Sequence, residues 1–524
     1  MILLFPLLLL LHPSAADYLS DHLANNVDLN VNPCDNFYLH VCSQSVDEDQ
    51  FPFKKIEQFY ENITEEHEHI SGSRNFAILN EIERLHETTE KKKPEFNHSL
   101  FRSLIESRCA KDDECYRKEF NYFYRTFLRF IDEDKTFTLK YWATKIKNVK
   151  KEGVLKVLLP LIDTLHRGFD KRYIRYADNV KQFYSALTNR LFVMEDLKKR
   201  GIFKGIEKMN EDLSTLKTLI IKKFRNTPWM KSRDELGLSL LAEFEDKVKD
   251  LVIHYDMDEH DKDLELFRDI NSRFMKNYYL AKQMSTGVEA LDILFAACEA
   301  EALLSEIANH EELLLVERVK AKYDLNAMYS PVMNRVVILA PLIYPKLTDG
   351  ATFDKPYDLF VTIAHEIFHS VINATWAERS DSFKNGMECM NDHFNRTCDT
   401  FGEKSCNSGP QTFEEDGPDI EGLRVSYEWF LNNYDNEELN EEIFKSDTFS
   451  VNRDQAFFYL HAFFYCQRIY PVEKHKDEHS YHQVRINGDM KQMPEFSQAF
   501  SCTPNQEMYS VKEDTCHLFG PDSK

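Results

Sequence analysis

Val361-Thr362-Ile363-Ala364-His365-Glu366-Ile367-Phe368-His369 is an apolar run that carries the pattern His-Glu-x-x-His. The run predicts a helix from Tyr357 to Ile372, on which residues four apart share a face. His365 and His369 then present two imidazoles to one metal ion, and imidazole suits zinc. Glu366 lies one step round from His365, where a carboxylate reaches a water held by that ion and takes its proton. The pattern alone is moderately specific in a chain with 19 histidines, since a buried helix with incidental histidines reads the same way. The rest of the chain has to separate the two.

Two histidines and a water leave one protein position on a tetrahedral zinc, usually filled by His, Asp or Glu. Downstream, Thr412-Phe413-Glu414-Glu415-Asp416-Gly417-Pro418-Asp419-Ile420-Glu421-Gly422-Leu423 reads as an acidic helix start. If the helix opens ahead of Glu415, Glu415 and Asp419 share a face. Glu415 then ligates the ion, while Asp419 accepts the far N–H of a ligating imidazole and fixes its tautomer. Proline is comfortable only in a first helical turn. If Pro418 opens the helix instead, Glu415 precedes it and Glu414 or Asp416 become rival ligands.

Bulk properties narrow the class. A chain of 524 residues buries a large core and suggests two or more domains. Hydrophobic content of 43% fits an ordered globular protein, and a formal charge of −23 argues against nucleic acid and anionic membrane surfaces as partners. Ile2 to Leu11 is apolar but too short to span a bilayer. With Ser14 and Ala16 after it, residues 1–16 read as a signal peptide, with Asp17 as the mature start. No later segment is long and apolar enough for stable membrane insertion, so the expected location is secreted and extracellular. The 11 cysteines fit that route through disulfides, the odd count leaving one over. Sequons at Asn62, Asn97, Asn373 and Asn395 agree with it.

From Phe120 to Leu251 the chain reads as long charged amphipathic helices, among them Phe120 to Ile131, Asn179 to Leu197, Ile206 to Phe224 and Ser232 to Leu251. Residues 17–310 are therefore assigned to an entry segment and a helical lobe, and 311–524 to the metal-bearing part. Asp324 to Tyr329 and Arg335 to Pro341 predict two short strands joined by a turn. An edge strand there would take an extended peptide by strand addition.

Taken together, these stretches resemble the neprilysin and endothelin-converting enzyme family of zinc endopeptidases. Asn326-Ala327-Met328-Tyr329 is similar to its substrate-binding strand, His365 to His369 to its zinc helix, and Glu415 to Leu423 to its third-ligand block. Asp477-Glu478-His479-Ser480 with Arg485, Phe496 to Cys502 and Asn32 to Cys42 resemble further family segments. The resemblance implies a mainly α fold: a gluzincin (thermolysin-like) catalytic lobe with a small edge β-sheet, plus a reduced helical lid lobe. It implies one zinc ion on His365, His369 and Glu415, with Glu366 as the base and Asp419 orienting a zinc histidine. His479 and Arg485 would stabilise the oxyanion, Asp477 would orient His479, and Asn326, Ala327 and Arg485 would bind substrate.

The implied activity is hydrolysis of oligopeptides, on the amino side of hydrophobic residues. By resemblance, Cys34 pairs with Cys502, Cys42 with Cys466 and Cys389 with Cys516. A local Cys398–Cys406 bridge is compatible with these, and Cys109 meets either Cys115 or Cys298. The chain departs from the family at Ile372, which replaces an aspartate that supports the zinc site, and in the shortened stretch before Asn326. These departures frame the alternative, a catalytically impaired homologue that acts as a secreted peptide-binding protein.

Overall fold

The computed structural model describes residues 15–42, 77–82, 97–129, 150, 153–160, 203–231, 240–255, 262–287, 292–297, 299–300, 326–339, 357–378, 380–402, 409–466 and 478–523, and positions 184, 187–188, 191, 195, 289 and 342. Most of the expected leader and most of the expected helix at Asn179 to Leu197 lie outside these residues. In chain order the first elements are α1 (Ala15–Asn25), α2 (Phe37–Val41), α3 (His98–Cys109), α4 (Asp113–Arg129), α5 (Phe203–Arg225) and α6 (Leu240–Asp250). Next come β1 (Val252–Tyr255), α7 (Lys262–Lys282), β2 (Ala327–Ser330), β3 (Arg335–Ile338) and α8 (Tyr357–His369). The last are α9 (Asp381–Phe401), α10 (Phe413–Leu431), β4 (Glu442–Lys445), β5 (Ser450–Asn452), α11 (Arg453–Phe464), α12 (His482–Lys491) and α13 (Pro494–Ala499).

The chain divides into two compact units. One comprises residues 1–59, 200–258 and 323–524, the other 60–199 and 259–322. Sequence reading had placed a single cut near residue 310, whereas the chain here leaves the first unit twice and returns. In the second unit a Cys109–Cys115 disulfide joins the end of α3 to the start of α4, which resolves the choice left open for Cys109. Arg108 donates twice to the buried Glu119, at 2.8 and 2.9 Å, and once to the Ser285 carbonyl. Phe101 packs edge-on against Phe123 in the same core.

In the first unit, β3 lies between β1, parallel to it, and β2, antiparallel to it. The β2–β3 hairpin is the expected pair of strands, with Ala327 opposite Ile338. β1 was not foreseen, because Val-Ile-His-Tyr is too short and too exposed to show an alternating pattern. The entry segment is tied to the far end of the chain by Cys34–Cys502 and Cys42–Cys466, and α9 to the C-terminal segment by Cys389–Cys516. All three pairings match those implied by the family resemblance. Cys398 is disulfide-bonded, while Cys298 and Cys406 lie outside the described residues. No helix among the described residues is long and apolar enough to cross a membrane.

α10 runs from Phe413 through Pro418 to Leu431, so Pro418 does not open it. The helix starts five residues earlier, after Thr412, and Glu415 and Asp419 both lie on it, one turn apart. α10 is buried on nearly every side, and two of its charged residues, Glu421 and Arg424, are paired as burial requires. Glu421 meets Lys223 at 2.5 Å, and Arg424 donates to the carbonyls of Cys516 and Gln492. Two glycines let α10 approach its neighbours. A Cβ on Gly422 would lie 2.8 Å from the backbone nitrogen of His365, and one on Gly417 would lie 3.3 Å from Cγ2 of the buried Ile372.

Because the Gly422 clash is with backbone, it cannot be relieved by a rotamer change. Gly422→Ala is expected to cost about 1–3 kcal/mol through overpacking of α8 on α10. Urea titration should show this as a lower midpoint; an unchanged midpoint would mean that the two helices separate freely.

Candidate metal centre

α8 and α10 bring three side chains to one point. His365 Nε2 lies 3.3 Å from Glu415 Oε2, His369 Nε2 lies 3.4 Å from the same oxygen, and the two imidazole nitrogens are 2.8 Å apart. A tetrahedron with metal–ligand bonds of about 2.05 Å has an edge of roughly 3.3 Å. Both carboxylate–imidazole distances match that edge, and the separation between the imidazoles is shorter. Glu366 is 6% exposed, and one of its oxygens falls within 4.8 Å of a ring nitrogen on each histidine.

Glu415 Oε2 is buried and has no hydrogen-bond partner among the described residues. It faces a third imidazole as well, since Nε2 of the partly exposed His479 lies 3.2 Å away. Burial works against charge on Glu415, yet the three histidines hold its carboxyl far below the usual carboxylate range. An ionised, orphaned oxygen encircled by imidazole nitrogens fits a bound dication, and this N, N, O donor set suits zinc. Neither rival ligand points there. Glu414 accepts from the Ala374 backbone N–H, and Asp416 accepts from the Thr412 hydroxyl at 2.6 Å.

Behind the imidazoles stands a second layer. His365 Nδ1 is 2.7 Å from Asp419 Oδ1, and Asp419 accepts two bonds from Arg485, at 2.6 Å from Nε and 2.7 Å from Nη2. Burial disfavours a charged His365, but Asp419, Glu415 and Glu366 raise its pKa to about 10. Arg485 is 7% exposed and its guanidinium lies over the Tyr465 ring at 4.7 Å. Sequence reasoning had aimed Arg485 at substrate, whereas two of its nitrogens are committed to Asp419. Asp477 lies outside the described residues. Asn326 is exposed at the entrance to β2, its side chain accepting from the Ala327 N–H and its carbonyl from Leu339.

A second grouping of possible ligands, Cys109, Cys115 and Glu119, is not a metal centre. Its cysteines are disulfide-bonded and its glutamate is held by Arg108.

A His-Glu-x-x-His helix crossed by a helix bearing a third carboxylate, in a mainly α unit, defines a gluzincin-type metallopeptidase fold. Residues 326–516 match the family model described as Peptidase family M13. Over 206 residues the chain is 25% identical to Neprilysin-3 of Drosophila melanogaster, covering 35% of this chain and 25% of that protein. Over 203 residues it is 26% identical to Endothelin-converting enzyme 1 of Cavia porcellus, covering 35% and 26%. The matched segment thus spans about a quarter of the length of these curated relatives. A solved chain of the Haemonchus galactose containing glycoprotein complex shares the fold, with a TM-score of 0.52 at 15% identity over 96% of this chain and 99% of that one. Residues 326–516 are thus similar to the neprilysin and endothelin-converting enzyme family.

Asp416 yields a test of the environment next to the third ligand. Burial pushes its carboxyl up to about 8, against the opposing hydroxyls of Thr412 and Ser480. An unfolded aspartate ionises near pH 4. Between those values the folded state holds the extra proton, so this contribution to stability is full below about pH 4 and is lost as pH rises towards 8. Asp416→Asn removes the titration. Urea titrations at pH 5 and 8 should show wild type losing more stability than the variant, and parallel losses would contradict the assignment.

Proposed function

We propose that this protein is a secreted zinc-dependent endopeptidase that hydrolyses oligopeptides on the amino side of hydrophobic residues. The observation that carries this reading is the convergence of His365, His369 and Glu415 on one point, with Glu366 beside it. His365, His369 and Glu415 would hold one zinc ion. Bound there, zinc supplies Lewis acidity and lowers the pKa of a water molecule.

The protein's own residues do the remainder. Glu366 takes a proton from the attacking water and delivers it to the leaving amine nitrogen. His479 donates a hydrogen bond to the oxyanion that forms as the amide carbonyl becomes tetrahedral. Arg485 keeps Asp419 in place through Nε and Nη2, and its Nη1 is assigned to a substrate carbonyl oxygen. Asp419 fixes the orientation of His365, and Asp477 is assigned the same part for His479. The peptide adds as a strand along β2, guided by the main chain of Asn326 and Ala327, since β3 already occupies the other edge of β2.

Purified protein is expected to contain one zinc per chain and to cleave internally quenched peptides, with loss of activity on chelation and recovery on adding zinc. Glu366→Gln is expected to lower kcat by at least a thousandfold while zinc content stays at one. Zinc retention without cleavage of any member of a diverse peptide library would favour the peptide-binding homologue. Absence of zinc would remove the metal assignment altogether.

A further inference from the structure

Thr412 stands just ahead of α10, where a threonine ordinarily accepts a hydrogen bond from a first-turn backbone N–H and so stabilises its helix. It makes no such bond here. The side chain is fully buried, and its hydroxyl turns to two other side chains. It donates to Asp416 Oδ2 at 2.6 Å and accepts from the Ser480 hydroxyl at 3.2 Å. The Gly409 carbonyl, at 3.4 Å, is the weaker of the two acceptors within reach of its one proton. A helix cap has been given up for a link between segments 68 residues apart. Burial alone does not demand such a link. The buried Thr227 and Thr397 satisfy their hydroxyls locally, on the carbonyls of Lys223 and His393 one turn back.

Both ends of the link adjoin groups of the metal centre. Asp416 follows Glu415 on α10, and Ser480 follows His479. The His479 side chain is 40% exposed, so packing does little to fix the imidazole, whereas Ser480 beside it is 2% exposed. Adjacent Cα atoms are about 3.8 Å apart, so an anchored Ser480 confines the backbone of His479 to a small volume. From there His479 Nε2 lies 3.2 Å from Glu415 Oε2, beside the point that His365 and His369 share.

Resting on the reading of His479 as the oxyanion donor, we propose that Ser480 and Thr412 are positioning residues for His479. Their hydroxyls tie the segment that carries the imidazole to the helix that carries the third metal ligand. The donor and the metal point then keep one spacing as a peptide enters, which is what preorganised stabilisation of an oxyanion requires.

The link can be tested with and without turnover. Diethyl pyrocarbonate labels accessible imidazoles, and mass spectrometry of the metal-free full-length protein reads the rate at His479. Ser480→Ala is expected to raise that rate several-fold. Thr412→Val, which exchanges the hydroxyl for a methyl, should do the same, and Thr412→Ser, which keeps it, should not. On quenched peptides, kcat of Ser480→Ala should fall about ten- to a hundredfold, with KM little changed and zinc content unaltered. In a His479→Ala chain, Ser480→Ala should cost nothing further, because its effect passes through that imidazole. A merely structural link would lower the thermal midpoint and leave labelling and kcat as in wild type, and that result overturns the proposal. So does a full second loss of kcat in the His479→Ala chain. If the wild type cleaves no peptide, the functional reading fails, and the labelling rates still decide whether the link holds His479. An active wild type with unchanged labelling in Ser480→Ala sinks this inference alone.

Discussion

The contact on which the site depends is the approach of α10 to α8 at Gly422, where any side chain would drive into the backbone nitrogen of His365. Two helices normally lie 8–10 Å apart, with the distance set by the side chains at the contact. Removing the Cβ at that crossing lets α10 come close enough for Glu415 to share one point with His365 and His369, and for Asp419 to reach the far nitrogen of His365. One helix supplies both imidazoles and the other supplies both carboxylates, so the donor geometry is a property of a single helix pair. Rigid elements, rather than loops, carry all four groups that decide metal binding and its orientation.

Charge is arranged in layers outward from that point. Glu415 is the orphaned anion at the centre, Asp419 is held ionised by Arg485 and His365, and Asp416 and Asp489 are held protonated by burial. Four carboxyls within one buried region would repel each other if all were ionised. Their protonation states alternate because only two of them have cationic or imidazole partners within bonding range. That arrangement concentrates negative charge where a cation belongs and keeps it from spreading into the core.

Much of this was legible in the sequence, and the reasons are physical. His365, Glu366 and His369 announce themselves through a fixed helical spacing. Glu415, Asp419 and Gly422 repeat at intervals that one helix face reads directly. Pro418 obscured the start of α10, because a proline beyond the first turn costs stability in an isolated helix, and only burial on all sides tolerates it. β1 was hidden by its brevity, and the division into units was hidden because a chain that departs and returns leaves no single composition change. Ile372, read as a lost aspartate, is buried and lies against Gly417 of α10.

The disulfides that join the entry segment to the late segments carry a consequence for how the protein is made. Cys34 and Cys502 are separated by 468 residues, and Cys42 and Cys466 by 424. At a synthesis rate of about 5–20 residues per second, Cys34 waits on the order of half a minute to a minute and a half for its partner to emerge. During that interval both early thiols are available to any other cysteine already made, including the closely spaced Cys109 and Cys115. Maturation of the metal-bearing unit is therefore a sorting problem, solved only when the last segments arrive, and oxidative folding assistants rather than local sequence would govern its yield.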